Sequence, residues 1–147
     1  MRAAGIVPFL TVSLASCQGQ PEPGPDVLFV SDEEADVVHV VDGRSGAVEG
    51  QLKTGQRPRG LALSPDRGTL YVAACESDRI GAWDPRGRRL VRAYAAGSDP
   101  ERLAVAPDGK SLFVANEDVA LLSRLDLASG RMVWESEVGP EPEGIAV

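Results

Sequence analysis

The chain has 147 residues, of which 15 are basic and 22 acidic, and its net charge is −7. Hydrophobic residues make up 43% and charged residues 25%, which is the composition of a globular protein and not of a disordered one. The acidic balance argues against a nucleic-acid partner, and the two cysteines and single histidine argue against a disulfide scaffold and most histidine-based sites. We therefore expect no nucleic-acid partner, no metal and no other cofactor.

The first 26 residues differ in composition from the rest of the chain. Residues 1–16 (MRAAGIVPFLTVSLAS) have one positive charge, Arg2, and then an apolar stretch that ends in small residues, which is typical of a signal peptide. This stretch is shorter than the roughly 20 residues that a membrane-spanning helix needs. Residues 17–26 (CQGQPEPGPD) are rich in proline and glycine, which predicts a flexible tether.

The end of the leader, Leu14-Ala15-Ser16-Cys17, resembles a bacterial lipobox. The resemblance implies cleavage before Cys17 and lipid attachment to it. Such an anchor would hold the protein on the periplasmic or cell-surface side of a bacterial membrane. The alternative is an ordinary secretory signal, which would give a secreted protein.

A repeat of 42 residues runs from residue 27 to residue 147. It is visible in Asp42, Asp84 and Asp126, in Gly55, Gly97 and Gly139, and in Pro58, Pro100 and Pro142. In the middle unit, short apolar runs between turn residues predict four strands, at 59–64, 69–74, 79–83 and 88–94. No stretch has sustained helical periodicity. A repeat of about 40–45 residues with four strands predicts the blade of an all-β propeller.

Residues 27–147 contain about three such blades, in units 27–69, 70–111 and 112–147. If the strands of a blade are named A to D from the propeller axis outward, the chain begins with B, C and D. It continues with two whole blades and ends with a predicted A strand over 144–147. Because a closed propeller has at least about four blades, we expect either a longer parent protein or a ring completed by oligomerisation.

Three segments carry a family resemblance. Residues 29–32 (FVSD), 71–74 (YVAA) and 113–116 (FVAN) resemble the motif of the YVTN-family β-propellers, with Asp32 and Ala74 replacing its asparagine. Residues 114–118 and 142–147 are most similar to the periplasmic propellers associated with PQQ-dependent alcohol catabolism. The resemblance implies a ring of seven blades. It also implies a binding or scaffold protein accessory to PQQ-dependent alcohol oxidation, with a periplasmic dehydrogenase or transporter component as partner.

By analogy with other propellers, the D–A and B–C loops gather on one face around the axis, where a rigid scaffold presents binding residues. The candidates on this face are Arg57, Arg59, Glu101, Asn116, Glu117 and Glu143. The face is acidic apart from its two arginines, which predicts a docking surface for a basic partner or a cation. The alternative is the solvated turn surface of an acidic protein.

Other positions receive simpler interpretations. Asp42, Asp84 and Asp126 occur in every unit, so we expect them to form turns. We expect Cys75 to be a free thiol. No catalytic motif is recognised, which favours a non-enzymatic role.

Two enzyme classes stay open because similar propellers include them. A lactonase would need a carboxylate or histidine base beside an arginine, which Arg57, Arg59, Glu101 and Glu143 could supply. A propeller carrying haem or copper would need histidine ligands in blades beyond residue 147.

Overall fold

A computed structural model describes residues 26–147, so the predicted signal peptide, Cys17 and nearly all of the tether lie outside the described residues. The strands are β1 Val27–Asp32, β2 Val37–Asp42, β3 Val48–Lys53, β4 Pro58–Leu63, β5 Leu70–Ala74, β6 Arg79–Asp84, β7 Arg89–Ala95, β8 Pro100–Val105, β9 Ser111–Asn116, β10 Leu121–Asp126 and β11 Arg131–Glu137. A 3-10 turn at Cys75–Ser77 is the only helical element of this part of the chain. None of its helices is long and apolar enough to span a membrane.

The strands form three antiparallel sheets, and within each sheet the strands that follow one another in the sequence are paired. Their orders are β1-β2-β3, β4-β5-β6-β7 and β8-β9-β10-β11. The four strands predicted for the middle unit are confirmed to within one residue or so at each end. The sheets are therefore blades of a β-propeller, and the all-β fold class is confirmed; the first blade contains strands B, C and D, and the other two are complete.

The turns between strands C and D repeat as the sequence predicts. The Oδ1 atom of Asp42 accepts the N–H of Ser45 at 2.7 Å, and that of Asp126 accepts the N–H of Ser129 at 2.8 Å. In the second blade, Asp84 Oδ1 accepts the N–H of Gly87 at 3.0 Å. A short carboxylate that accepts backbone N–H groups is a standard way to close a turn. The prediction that these aspartates are turn formers is confirmed.

The hydrophobic core lies between the blades. Val38, Val40 and Leu52 of the first blade pack against Leu70, Val72 and Trp83 of the second. The same positions, 42 residues later, join the second blade to the third: Ile80, Ala82 and Tyr94 pack against Leu112, Val114 and Leu125. Each fully buried aliphatic side chain contributes about 1.5–3 kcal/mol to folding, so the stability of the molecule resides mainly in blade stacking.

The A strands of neighbouring blades, β4 and β8, run side by side. A Cβ atom at Gly60 of β4 would lie 2.5 Å from the carbonyl oxygen of Glu101 in β8, so only glycine permits this approach. The prediction of an A strand at 144–147 is wrong for this structure, in which those residues are in no strand. A strand is defined by its ladder of hydrogen bonds, and no described strand pairs with this segment.

Candidate functional site

The B–C loops (33–36, 75–78 and 117–120) and the D–A loops (54–57, 96–99 and 138–141) lie against one another at the same end of the blades. Asp36 Oδ1 accepts the N–H of Arg57 at 2.8 Å, and Asp78 Oδ1 accepts the N–H of Asp99 at 3.1 Å. Arg57 and Asp99 adopt left-handed backbone conformations, with φ of 53° and 46°. These hydrogen bonds hold a strained backbone in one arrangement, so the loops present their side chains on a fixed frame.

Arg59 stands at the centre of a network that joins all three blades. Its Nε lies 2.8 Å from Glu33 Oε2 in the first blade, and its Nη1 pairs with Glu101 Oε1 in the third. Nη1 also lies 3.7 Å from Glu117 Oε2. Arg57 adds a contact of 3.5 Å from its Nε to Glu33 Oε2. We call these five residues the Arg59 cluster.

Pairing within the cluster shifts the proton affinities of its members. The hydrogen bond to Arg59 lowers the pKa of Glu33, and the attraction of Arg57 adds to this effect. The hydrogen bond to Glu33 raises the pKa of Arg59 despite partial burial. Opposite charges in contact stabilise each other's ionised forms, so both groups stay charged at neutral pH.

Glu101 is the buried member of the cluster, with 2% of its surface exposed. It faces two guanidinium groups, because Arg102 Nη1 lies 3.7 Å from its Oε2 while Arg59 holds its Oε1. A carboxylate can be buried only when its charge is paired. Glu101 therefore anchors Arg59 below the surface and is not presented to a partner.

Glu143 is separated from the Arg57–Arg59 pair. Its Oε2 accepts a hydrogen bond from Arg102 Nη2 at 2.8 Å, and its carbonyl accepts one from Arg102 Nε at 3.1 Å. The Glu143 side chain is 68% exposed. The sequence places Glu101 and Glu143 in equivalent positions of their units, but the structure buries one and exposes the other.

Asn116 lies inside the protein, with 1% of its surface exposed. Its Nδ2 donates to the carbonyls of Ala96 and Ser98 at 2.8 and 2.9 Å, and its Oδ1 accepts from Ser123 Oγ at 3.1 Å. All of these partners belong to the protein. The asparagine of the motif thus ties strand B to the D–A loop that precedes its own blade, which is a structural role.

Cys75 and Asp99 lie next to Glu101 of the cluster, and the potential ligand atoms of the three residues are within 4.8 Å of one another. Cys75 is a free, buried thiol whose Sγ donates to the carbonyl of Pro100 at 3.0 Å. Burial, reinforced by Asp99, raises the pKa of Cys75 to about 11, and burial also raises the pKa of Asp99. A metal ion would bind here only after the thiol lost its proton and Arg59 released Glu101.

The exposed part of this end of the molecule is acidic. We call it the acidic rim, and it consists of the exposed loop carboxylates Glu33, Glu34, Asp36, Glu76, Asp78, Asp118, Glu141 and Glu143. Glu117 and Arg57 are half-buried beside it, as is Arg59. Glu33 and Arg102 were not among the sequence candidates, although the repeat gives a signal for Glu33: it shares a position with Cys75 and Glu117.

Comparison with known proteins supports the fold. No family model matches the chain, and no curated protein matches it. Among solved structures, the chain is similar to a hydrazine synthase from Kuenenia stuttgartiensis, with a TM-score of 0.72 and 23% sequence identity over 89% of this chain. The chain spans 40% of the length of that structure. A likeness at this level of identity concerns the fold and not the activity.

Proposed function

We propose that this chain is a non-enzymatic binding or scaffold propeller of the periplasm. It is held at a membrane through Cys17 and is accessory to PQQ-dependent alcohol oxidation. One observation carries the binding role: the acidic rim is displayed on loops that hydrogen bonds fix in place. Loops on a rigid scaffold are the usual location of binding residues, and a rim of one charge sign attracts a partner of the opposite sign.

The state of the polar groups supports a binding role over catalysis. The arginines and carboxylates that a hydrolase would need are paired with each other: Arg59 with Glu33 and Glu101, and Arg102 with Glu143. A general base must be free to take a proton from water or substrate. The thiol of Cys75 is protonated and buried, so it is a poor nucleophile.

The partner class follows from the rim, and the cellular setting follows from the sequence. A rim of exposed carboxylates fits a basic protein surface. The lipobox-like residues ending at Cys17 support membrane attachment, and the similarity of residues 114–118 and 142–147 to PQQ-associated propellers supports a dehydrogenase or transporter component as the partner.

The proposed partner is tested by affinity capture from a bacterial periplasm that contains PQQ-dependent dehydrogenases. The bait is the full chain or its variant Glu34→Lys/Glu76→Lys/Asp118→Lys, which reverses three rim charges. We expect a PQQ-dependent dehydrogenase or a transporter component to be retained by the wild type and lost by the variant. A matched control, Glu49→Lys, changes an exposed carboxylate outside the rim and should retain it. Identical proteins on all three baits would contradict the proposal.

A lactonase is the second candidate, because a carboxylate, Glu101, lies beside Arg59; this carboxylate could act as a base only where a substrate displaces the arginine. The test is turnover of a simple aliphatic lactone by the full chain. Turnover that is lost in Glu101→Gln, while the variant keeps the far-ultraviolet spectrum of the wild type, would favour the enzyme. Activity that survives both Glu101→Gln and Glu143→Gln excludes these two carboxylates as the base.

A further inference from the structure

The face opposite the acidic rim carries the turn aspartates, Asp42, Asp84 and Asp126 among them, and also a group of exposed arginines in the second blade. It is formed by the A–B turns and the C–D turns, and we call it the turn face. In the second blade, Arg67 lies on the A–B turn, Arg86 and Arg88 lie on the C–D turn, and Arg89 begins strand β7. All four are exposed. We call these four residues the arginine patch.

The carboxylates of these two turns point into the turns. Asp84 Oδ1 accepts the N–H groups of Arg86 and Gly87 at 3.1 and 3.0 Å. Asp66 Oδ1 accepts the N–H of Gly68 at 2.9 Å and the hydroxyl of Ser64 at 2.6 Å. These two turns hold two aspartates, and the patch holds four arginines. The turns of the second blade therefore carry more positive than negative charge.

The side chains of the patch keep most of their charge unneutralised. Arg88 Nη1 donates to a neutral group, the carbonyl of Glu49, at 3.2 Å. Arg89 Nε lies 3.4 Å from Asp84 Oδ2, but its side chain is 71% exposed. An exposed pair of this kind is weak and leaves the guanidinium available to another anion.

The tether joins the propeller on this same face. The carbonyl of Asp26 accepts the N–H of Gly43, in the C–D turn of the first blade, at 2.6 Å. In the third blade the equivalent bond runs from the N–H of Leu127 to the carbonyl of Lys110, which ends an A–B turn. Between Cys17 and Asp26 the chain can span at most about 30 Å. An anchor at Cys17 would therefore keep the turn face near the bilayer.

We propose that the arginine patch docks on the anionic headgroups of phospholipids, so that the turn face lies on the membrane and the acidic rim faces away from it. The orientation rests on the proposed anchor at Cys17, but the affinity of the patch for anionic lipid does not. The occupant is a lipid surface because the chain from the proposed anchor enters the propeller at Asp26, on the face that carries the patch, and arginine binds phosphate oxygens in a bidentate manner.

The net charge of −7 does not prevent this docking. Strands of six residues separate the two faces by about 20 Å. This distance is about twice the Debye length at 0.1 M salt, which is about 10 Å. The repulsion between the rim and the bilayer is therefore screened, whereas the arginines act at contact distance. Each basic residue near an anionic surface raises the affinity about fivefold.

The experiment measures cosedimentation with vesicles of the Cys17→Ser chain that begins at residue 17, which lacks the apolar leader and cannot be lipidated. One set contains equal parts of phosphatidylglycerol and phosphatidylcholine, and the other contains phosphatidylcholine alone. We expect binding to the anionic vesicles only, with loss at high salt. Removing two charges in Arg86→Gln/Arg89→Gln should weaken the binding about tenfold or more.

A matched control removes the same charge from the other end of the molecule. Lys53→Gln/Arg79→Gln changes two exposed cations beside the acidic rim, and it should bind the anionic vesicles as the parent does. Absence of binding to anionic vesicles, or equal weakening by both double variants, would overturn the proposal. Binding to an immobilised polyglutamate peptide without vesicle binding would also overturn it and would assign the patch to an acidic protein.

Lipidation is measured separately, by mass spectrometry of the wild-type chain produced in a bacterial host. Absence of acyl groups on Cys17, with vesicle binding intact, would contradict the proposed anchor and the orientation but not the lipid affinity of the patch. Acylation without vesicle binding by the Cys17→Ser chain would contradict the patch alone.

Discussion

Burial controls the chemistry of Cys75, because it raises the pKa of the thiol from its ordinary value of 9.0 to about 11. At pH 8 the folded chain should therefore hold about 100-fold less thiolate than the unfolded chain. We expect iodoacetamide to alkylate the folded Cys17→Ser chain about 100-fold more slowly than the chain in denaturant. Similar rates in both states would contradict the burial of this thiol.

The same shift makes stability depend on pH in the alkaline range. A group whose pKa is raised in the folded state favours folding fully below its unfolded value, here 9.0, and loses this contribution as the pH rises through about 11. The melting temperature of Cys17→Ser should fall across this interval. The variant Cys17→Ser/Cys75→Ala is the control, and its melting temperature should fall less.

Asn116 shows how much one buried polar side chain can contribute to the free energy of unfolding. The substitution Asn116→Ala removes the partner of the Ala96 and Ser98 carbonyls and of the Ser123 hydroxyl. A buried polar group that loses its partner costs about 1–3 kcal/mol, so we expect unfolding by urea to show a loss of about 2 kcal/mol or more. Ser98→Ala, which removes an exposed hydroxyl and keeps the backbone acceptor, should cost much less.

The sequence placed all six candidates in the D–A and B–C loops, but Arg59, Glu101 and Asn116 lie at the ends of strands β4, β8 and β9. It also did not predict how deep these side chains lie. Glu101 and Asn116 are both buried. Their depth depends on contacts with another blade or loop: Arg59 for Glu101 and the D–A loop for Asn116. A single unit of the repeat contains no information on such contacts, so spacing alone could not reveal them.

At the scale of elements, the C–D turns connect stability to acidic pH. Hydrogen bonds from the N–H groups of Ser45 and Gly87 are the largest cause that lowers the pKa of Asp42 and Asp84, and the Ser129 hydroxyl does the same for Asp126. Carboxylates with a lowered pKa favour folding above the unfolded value, near 3.8, and lose this contribution as the pH falls below it.

The variant Asp42→Asn/Asp84→Asn/Asp126→Asn keeps a hydrogen-bond acceptor in each turn and removes the titration. We expect its melting temperature to fall less than that of the wild type between about pH 5 and about pH 3. Glu49→Gln/Glu137→Gln, at exposed positions on the D strands, should retain the acid sensitivity of the wild type. If the melting temperatures of the wild type and the triple variant fall in parallel with pH, the turn aspartates do not cause the acid sensitivity.

Strands were the best predicted elements, because apolar runs and turn residues alternate so regularly. The strand predicted at 79–83 is observed as Arg79–Asp84, and that at 88–94 as Arg89–Ala95. The failure at 144–147 has a physical cause: apolar residues form a strand only beside another strand. The left-handed residue Arg57 gave no signal, because glycine, asparagine or aspartate usually marks that conformation.

At the scale of the whole molecule, the Arg59–Glu101 pair connects the second blade to the third through a buried charge. Arg59→Ala would leave the buried Glu101 with the Arg102 guanidinium alone, 3.7 Å away. Breaking a buried ion pair in this way costs about 3–5 kcal/mol. Because Arg59 is 26% exposed, water reaches part of the site, and we expect a loss of about 3 kcal/mol in urea unfolding.

The double variant Arg59→Met/Glu101→Leu distinguishes the pair from its members. Apolar residues of similar volume restore packing without leaving a charge unpaired, so we expect the double variant to be more stable than Arg59→Ala. If the double variant loses as much unfolding free energy as Arg59→Met and Glu101→Leu lose together, the two side chains do not interact.

The first blade leaves an apolar surface uncovered, and it should make the molecule associate with itself. Leu28 and Val30 are 50% and 49% exposed, whereas Leu70 and Val72, their equivalents one unit later, are buried against the first blade. Within residues 26–147, β1 also has no strand paired to its edge nearest the propeller axis. An open strand edge beside exposed apolar side chains favours contact between copies.

We therefore expect light scattering of the Cys17→Ser chain to show a mass that rises with concentration. Leu28→Lys/Val30→Lys should reduce this association, because a charge on an open edge opposes strand pairing. Val48→Lys/Leu90→Lys adds the same charge at exposed apolar positions on the D strands. This control shows whether the position of the lysines or only the net charge matters, and we expect it to associate like its parent. A cooperative, monomeric melt of the parent chain at all concentrations would show that the uncovered surface does not drive association.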